Sequence, residues 1–342
     1  MSGATDRRAS GAPDSAITPE ARALIDGSLV IDGHADSFGD AMKGVRSYLA
    51  RAYEGQLDLP RQVEAGIDLS FQAVYTPPEH QGDGAYAYAL DMASFVHAAL
   101  RAGAGRLWLV REASELARLG EVPAILLVLE GASPLAGKIE RLEILDALGF
   151  RAMGLTHDPA NEAAGGCKAA PEQDRLTPFG RDLVAALDRR GWVIDAAHLG
   201  RSSLEELLTL SAGPIVSSHT GMRALCDTPR NLDDAQVRAI AATGGLVGID
   251  FVPEHLAKPL PATRDDVFRH VEHAVSLVGS EHVAIGSDFD GYTTPLGGMR
   301  DAADYPWIAQ RLIDAGYPAD ATRNILGDNW RRVLAARLGL RR

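Results

Sequence analysis

Short runs of apolar, β-branched residues recur along the chain and are separated by longer stretches with helical periodicity. Eight runs stand out, at residues 29–32, 69–75, 125–129, 151–156, 192–196, 214–218, 245–251 and 282–287. Their hydrophobicity is continuous rather than alternating, as expected for strands covered on both faces. Between them the 3.6-residue period predicts helices over 86–102, 138–148, 179–190, 202–210, 233–242 and 264–278, with closing helices over 305–315 and 320–338. Ser202 and Asp233 are placed to cap helix N-termini, and Gly149, Gly191 and Gly244 stand where helices commonly end. Repeated βα units imply a parallel sheet, and eight of them predict a (β/α)8 TIM-type barrel.

Such a barrel carries its active site at the C-terminal ends of the strands, which turns the polar residues into a test. GHAD follows the first run, EG the third, TH the fourth, AH the fifth, SH the sixth and SDFDG the eighth. Six strands therefore deliver a metal-capable or acid-base residue at one end. His34 and Asp36 are two apart on an extended segment and are expected on one face. Taken alone, the pair reads more readily as a turn with a capping Asp. Glu130 ends a strongly apolar run, where an ionised carboxylate needs a cation or strong hydrogen bonds. His198 and His219 close consecutive strands and should approach one another.

Together His34, Asp36, Glu130, His198 and His219 form a nitrogen and oxygen donor set suited to two ions of zinc or a similar divalent metal. His157 is read as an oxyanion-stabilising group and Asp288 as the general base, whereas Asp290 fits a turn-forming role better. His270 and His273 are read as a solvated helix face, and His282 begins the eighth strand at the wrong end for catalysis.

Composition narrows the partners. A chain of 342 residues, 46% hydrophobic, can bury one large core, so residues 1–22 are read as a flexible tail and 23–342 as a single catalytic domain. A net charge of -12 argues against nucleic acid. The longest apolar run, 124–129, is far short of a membrane span, and no secretory apolar region is seen. Two cysteines imply no disulfide framework, so a soluble cytoplasmic protein with a small-molecule substrate is expected.

The ordered motifs IDGHAD at 31–36, AVYTP at 73–77, LEG at 129–131, LTH at 155–157, IDAAH at 194–198, SSH at 217–219, PRNLDD at 229–234, GSDFDG at 286–291 and ILGDNWRRV at 325–333 resemble the membrane (renal) dipeptidases, peptidase family M19, of the amidohydrolase superfamily. The resemblance implies a binuclear zinc dipeptidase, with His34 and Asp36 on one metal, His198 and His219 on the other, and Glu130 bridging. It also implies substrate contacts from His157, Arg230 and Tyr75, and a homodimer. Arg230 suits the terminal carboxylate of a dipeptide. The expected chemistry is attack by a metal-activated water, with Asp288 moving the proton to the leaving amine. Hydrolysis of N-acyl amino acids, cyclic amides or β-lactams is the rival reading, and a non-catalytic barrel is a more distant one. The charged, Gly/Ala-rich loop after His157 makes substrate preference the least transferable property.

Overall fold

The computed structural model describes residues 17–340. Eight parallel strands follow one another in chain order around a barrel: Ile31–Ala35, Leu69–Tyr75, Ala124–Glu130, Phe150–Gly154, Val193–Asp195, Ile215–Thr220, Leu246–Ile249 and Val283–Ile285. Each overlaps one of the runs expected from the sequence. A two-residue strand, Trp108–Leu109, adds to the start of the third barrel strand, too short to have a period of its own.

The first and last strands meet at a seam. Asp288 N donates to His34 O at 3.0 Å and Asp36 N to Phe289 O at 2.8 Å. Below them the fully buried Asp32 carboxylate accepts from Ser287 N at 2.7 Å and Ser287 Oγ at 2.6 Å. Burial pushes the Asp32 carboxyl up to about 6, and the bonds from Ser287 oppose that rise.

Alternation along the strands separates two cores. On the third strand Leu126 and Val128 face one cluster, while Leu127 and Leu129 face the helices. The inner cluster holds Ile31, Phe71, Val216 and Ala284, and the last helix, Asn329–Leu338, adds Trp330, Val333, Leu334 and Leu338 to it. Trp330 packs on Phe71 with ring centroids 4.7 Å apart and donates its indole N–H to Ile285 O at 3.0 Å. A Cβ at Gly33 would lie 2.1 Å from the Trp330 ring, so only glycine fits there.

Two strands break their alternation where the site needs it. Ile31 and Gly33 face the inner cluster, so His34 is one residue out of phase with them. His219 is likewise out of phase with the inward-facing Val216. Register irregularities fall between Asp32 and Ala35 and between Ser217 and Thr220, bracketing the two histidines. Such bulges re-aim a side chain at the end of a strand.

The helices bring several corrections. Helix Pro19–Asp26 begins inside the segment expected as a tail, of which residues 1–16 lie outside the described residues. Ser202 is not a cap: helix Arg201–Leu210 starts one residue earlier, and the Asp174 carboxylate accepts from Ser202 N and Ser203 N. Asp233 does cap, accepting from Ala235 N and Gln236 N. The closing helix is divided into Ala319–Arg323, a π-helical turn over Asn324–Asp328, and Asn329–Leu338. Helices Ser37–Met42, Leu59–Ala65 and Pro253–Leu256 are too short to show a period. His270 is buried, its ring held by Met222 N and Leu256 O, and not on a solvated face. Among the described residues no helix is long and apolar enough to cross a membrane.

Trp330→Ala should empty the lower end of the barrel and strand the Ile285 carbonyl. A loss of about 3–5 kcal/mol is expected for an aromatic truncation of this kind, measured by urea unfolding; a loss below about 1 kcal/mol would show that the helix does not support the barrel.

Candidate active site

The third strand carries Glu130 to the barrel mouth on the same face as Leu126 and Val128. Four imidazoles converge on its Oε1. The Nε2 atom of His198 lies at 3.0 Å, that of His34 at 3.6 Å, that of His219 at 3.7 Å and that of His157 at 3.8 Å. Asp36 Oδ2 is 3.5 Å from His34 Nε2, and the Nε2 atoms of His198 and His219 are 3.0 Å apart. Ligand atoms held tetrahedrally at about 2.1 Å from one ion are separated by about 3.4 Å, which lies within this range of spacings.

The electrostatics call for a cation. Burial, reinforced by Asp36, lifts the Glu130 carboxyl to about 8. Burial also holds His198 and His219 well below the ordinary imidazole value, with the Arg230 guanidinium adding to the effect. For His34 burial is again the largest influence and opposes protonation. The combined pull of Glu130, Asp36 and Asp288 overcomes it and raises the group to about 10. Among the described residues neither ring nitrogen of His34 has a hydrogen-bond partner. A buried set of nitrogen and oxygen donors at these spacings, with both His34 nitrogens unpartnered among the described residues, fits a divalent ion that displaces the protons held there.

Three overlapping groups bring ligand atoms within 4.8 Å of one another: His34, Asp36 and Glu130; Glu130, His157 and His198; and His34, Asp195 and His219. The first corresponds to the expected pair with its shared carboxylate. The second brings His157, expected as an oxyanion-stabilising group, within reach of an ion held by Glu130 and His198. Asp36 occupies the N-cap position of helix Ser37–Met42 yet makes no capping bond, so the ordinary explanation for an Asp there does not hold. It meets His34, two residues away, from just past the end of the strand.

The remaining expected residues surround this centre. Burial drops the His157 imidazole to about 4, so it is neutral; it stacks on His198 at 4.1 Å and meets the tilted Tyr75 ring at 4.7 Å. Burial raises the Asp288 carboxyl well above its usual range, with Asp36 and Glu130 adding to the rise and His34 opposing it. Asp288 has a left-handed φ of 61°, as does His198 at 67°. Such strain in non-glycine residues concentrates at functional sites. Arg230 is buried, donates through Nη2 to His219 O at 2.9 Å, and keeps an Nε without a partner among the described residues. Asp290 is structural, as expected, bridging Ser37 Oγ, Gln56 N and the Arg46 guanidinium.

Three residues escape the sequence pattern. Asp158 accepts from His198 Nδ1 at 2.7 Å, and Asp195 accepts from Ser218 N at 2.8 Å beside the His34 and His219 rings. His80, with Asp40, Lys43, Glu79 and Tyr88, lines the outer part of the cavity. That cavity, of about 700 Å³, has Glu130, His157, His198 and Asp288 in its lining. Asp158 directly follows a recognised histidine, whereas His80 is marked by nothing before the fold is known.

A parallel (β/α)8 barrel with a buried His/carboxylate cluster at its strand ends is the architecture of a metal-dependent hydrolase. The chain belongs to the membrane dipeptidase family, Peptidase family M19, whose model matches residues 18–338. It is 27% identical over 323 residues to the dipeptidase tcpJ of Claviceps purpurea, covering 89% of this chain and 76% of that one. The solved structure of dipeptidase AC, an M19 metallopeptidase, superposes with a TM-score of 0.86 at 27% identity, covering 91% of this chain and 99% of that one. A metallopeptidase from Rhodobacter sphaeroides, liganded with a phosphinate mimic of L-Ala-D-Ala, superposes with a TM-score of 0.85 at 25% identity and the same coverage.

Because His34 holds its proton up to about 10 and Glu130 up to about 8, a divalent ion must displace protons to bind near neutral pH. Affinity should therefore rise with pH through about 8 and on towards about 10, and fall in acid. Calorimetric titration with zinc in buffers of different ionisation heat should show proton release; an affinity independent of pH between about 6 and 8 contradicts it.

Proposed function

We propose that the chain hydrolyses the peptide bond of dipeptides at a centre of two divalent ions, zinc by the donor chemistry. The observation that carries this reading is the convergence of four imidazole nitrogens on Glu130 Oε1 within 3.0–3.8 Å. His34 and Asp36 would hold one ion, His198 and His219 the other, and Glu130 would lie between them. When bound, the ions supply Lewis acidity that polarises the carbonyl and lowers the pKa of a water.

The chain's own side chains do the rest. Asp288 sits across the seam from His34, its backbone N bonded to His34 O, and a carboxylate there can take a proton and return it to the leaving amine. Neutral His157 can donate a hydrogen bond to the carbonyl oxygen as negative charge develops on it. Arg230, fixed on His219 O with a buried Nε unpaired, is suited to the substrate's terminal carboxylate through paired hydrogen bonds. Tyr75, in the cavity lining with its ring 4.7 Å from that of His157, is placed to help position the substrate. The ligand of the Rhodobacter sphaeroides neighbour supports acceptance of a D-residue at the C-terminal position. A homodimer in the cytoplasm completes the reading, and light scattering on purified protein tests the assembly.

Asp288→Asn should leave metal content intact and lower kcat on the order of 10²–10⁴-fold, the usual worth of a positioned acid-base group. A fully active variant sinks that role. With the zinc-loaded unmodified chain, L-Xaa-L-Xaa and L-Xaa-D-Xaa dipeptides should be cleaved in preference to N-acyl amino acids. In Arg230→Met the KM for dipeptides should rise while dipeptide amides are affected little; an equal loss on both would remove Arg230 from carboxylate recognition.

A further inference from the structure

His198 is held by more than the site it points into. Its Nδ1 lies 2.7 Å from Asp158 Oδ1, and a carboxylate can only accept, so the ring carries its proton on Nδ1 and presents Nε2 as a lone pair. That Nε2 is the atom found 3.0 Å from Glu130 Oε1 and 3.0 Å from His219 Nε2. Asp158 is itself anchored: Lys168 Nζ lies 2.6 Å from its Oδ2, and Cys167 Sγ donates to its Oδ1 at 3.2 Å. Cys167 N in turn donates to His198 O at 2.6 Å. One loop therefore grips the left-handed His198 at its carbonyl and at its ring. His219 is supported differently, by the neutral Ser218 hydroxyl at 2.7 Å from its Nδ1.

We propose that Asp158 is a positioning residue for metal binding, which fixes the tautomer and direction of His198, and that Lys168 keeps the carboxylate in place. The role rests on the reading of His198 as a metal ligand. Asp158 and His157 are adjacent, so the residue that aims a ligand and the residue that meets the substrate move on one loop. Ligating histidines generally donate their second nitrogen to such a partner, and its loss weakens metal binding or activity on the order of 10–100-fold.

The test uses zinc alone, titrated against a chromophoric chelator, with the full chain. Asp158→Asn keeps the shape but removes the charge. It should fold with an unchanged circular dichroism spectrum, lose zinc affinity on the order of 10–100-fold, and show an altered His198 tautomer by nitrogen NMR. Zinc affinity equal to that of the unmodified chain, or a lowered melting temperature with unchanged affinity, overturns the proposal. Should Asp158→Asn not fold, Lys168→Ala decides, since that side chain is 66% exposed: a smaller loss of zinc affinity supports the role and no loss overturns it. Dipeptide hydrolysis by the unmodified chain is measured separately. Its absence refutes the dipeptidase reading and leaves the zinc affinities to judge Asp158.

Discussion

The site is organised around one buried carboxylate oxygen. Glu130 Oε1 is reached by imidazoles from the first, fourth, fifth and sixth strand ends, so its protonation is tied to theirs. Protonating Glu130 removes its charge but leaves the His34 nitrogens unpaired; protonating the histidines sets buried cations against one another. A shared divalent ion removes both difficulties. The barrel makes the arrangement rigid, because each of these side chains stands at a strand end whose neighbours are tied by parallel ladders.

The strand count, the end of the barrel where the polar residues gather and the residues that meet there were legible in the chain, because long apolar runs punctuated by His, Asp and Glu leave few other readings. The means of assembly were not. His34 and His219 enter the site through register irregularities, and a bulge has no signature in a hydrophobic pattern that merely continues through it. Asp36 shares a face with His34 as its spacing predicts, although it lies one residue past the strand at a helix start. Asp158 and Asp195 support their neighbours through contacts 40 and 23 residues apart, which depend on the folded chain. Ser202 was misplaced for a similar reason: a distant carboxylate, Asp174, does the capping.

Four described non-glycine residues, Ala136, His198, Asp288 and Asp290, have left-handed backbone, and two of them stand in the site. His198 and Asp288 both adopt φ above +60°, a conformation that costs a non-glycine residue about 1–3 kcal/mol. Each is secured by bonds from another segment: Cys167 N on the His198 carbonyl, and the Asp288 amide on His34 O. The seam between first and last strands thus serves two ends, closing the barrel and presenting the proposed base beside a proposed ligand.

The helix that fills the lower end of the barrel has a consequence for how the molecule comes into being. Trp330, Val333, Leu334 and Leu338 come from the last stretch of the chain, yet they complete the core on which the first strand rests through Gly33. His34 and Asp36 belong to that strand. The earliest part of the site to be synthesised therefore waits for nearly the whole chain to be made. A ribosome-bound chain lacking its last turns of helix would carry all five donor residues and still have no finished floor beneath them.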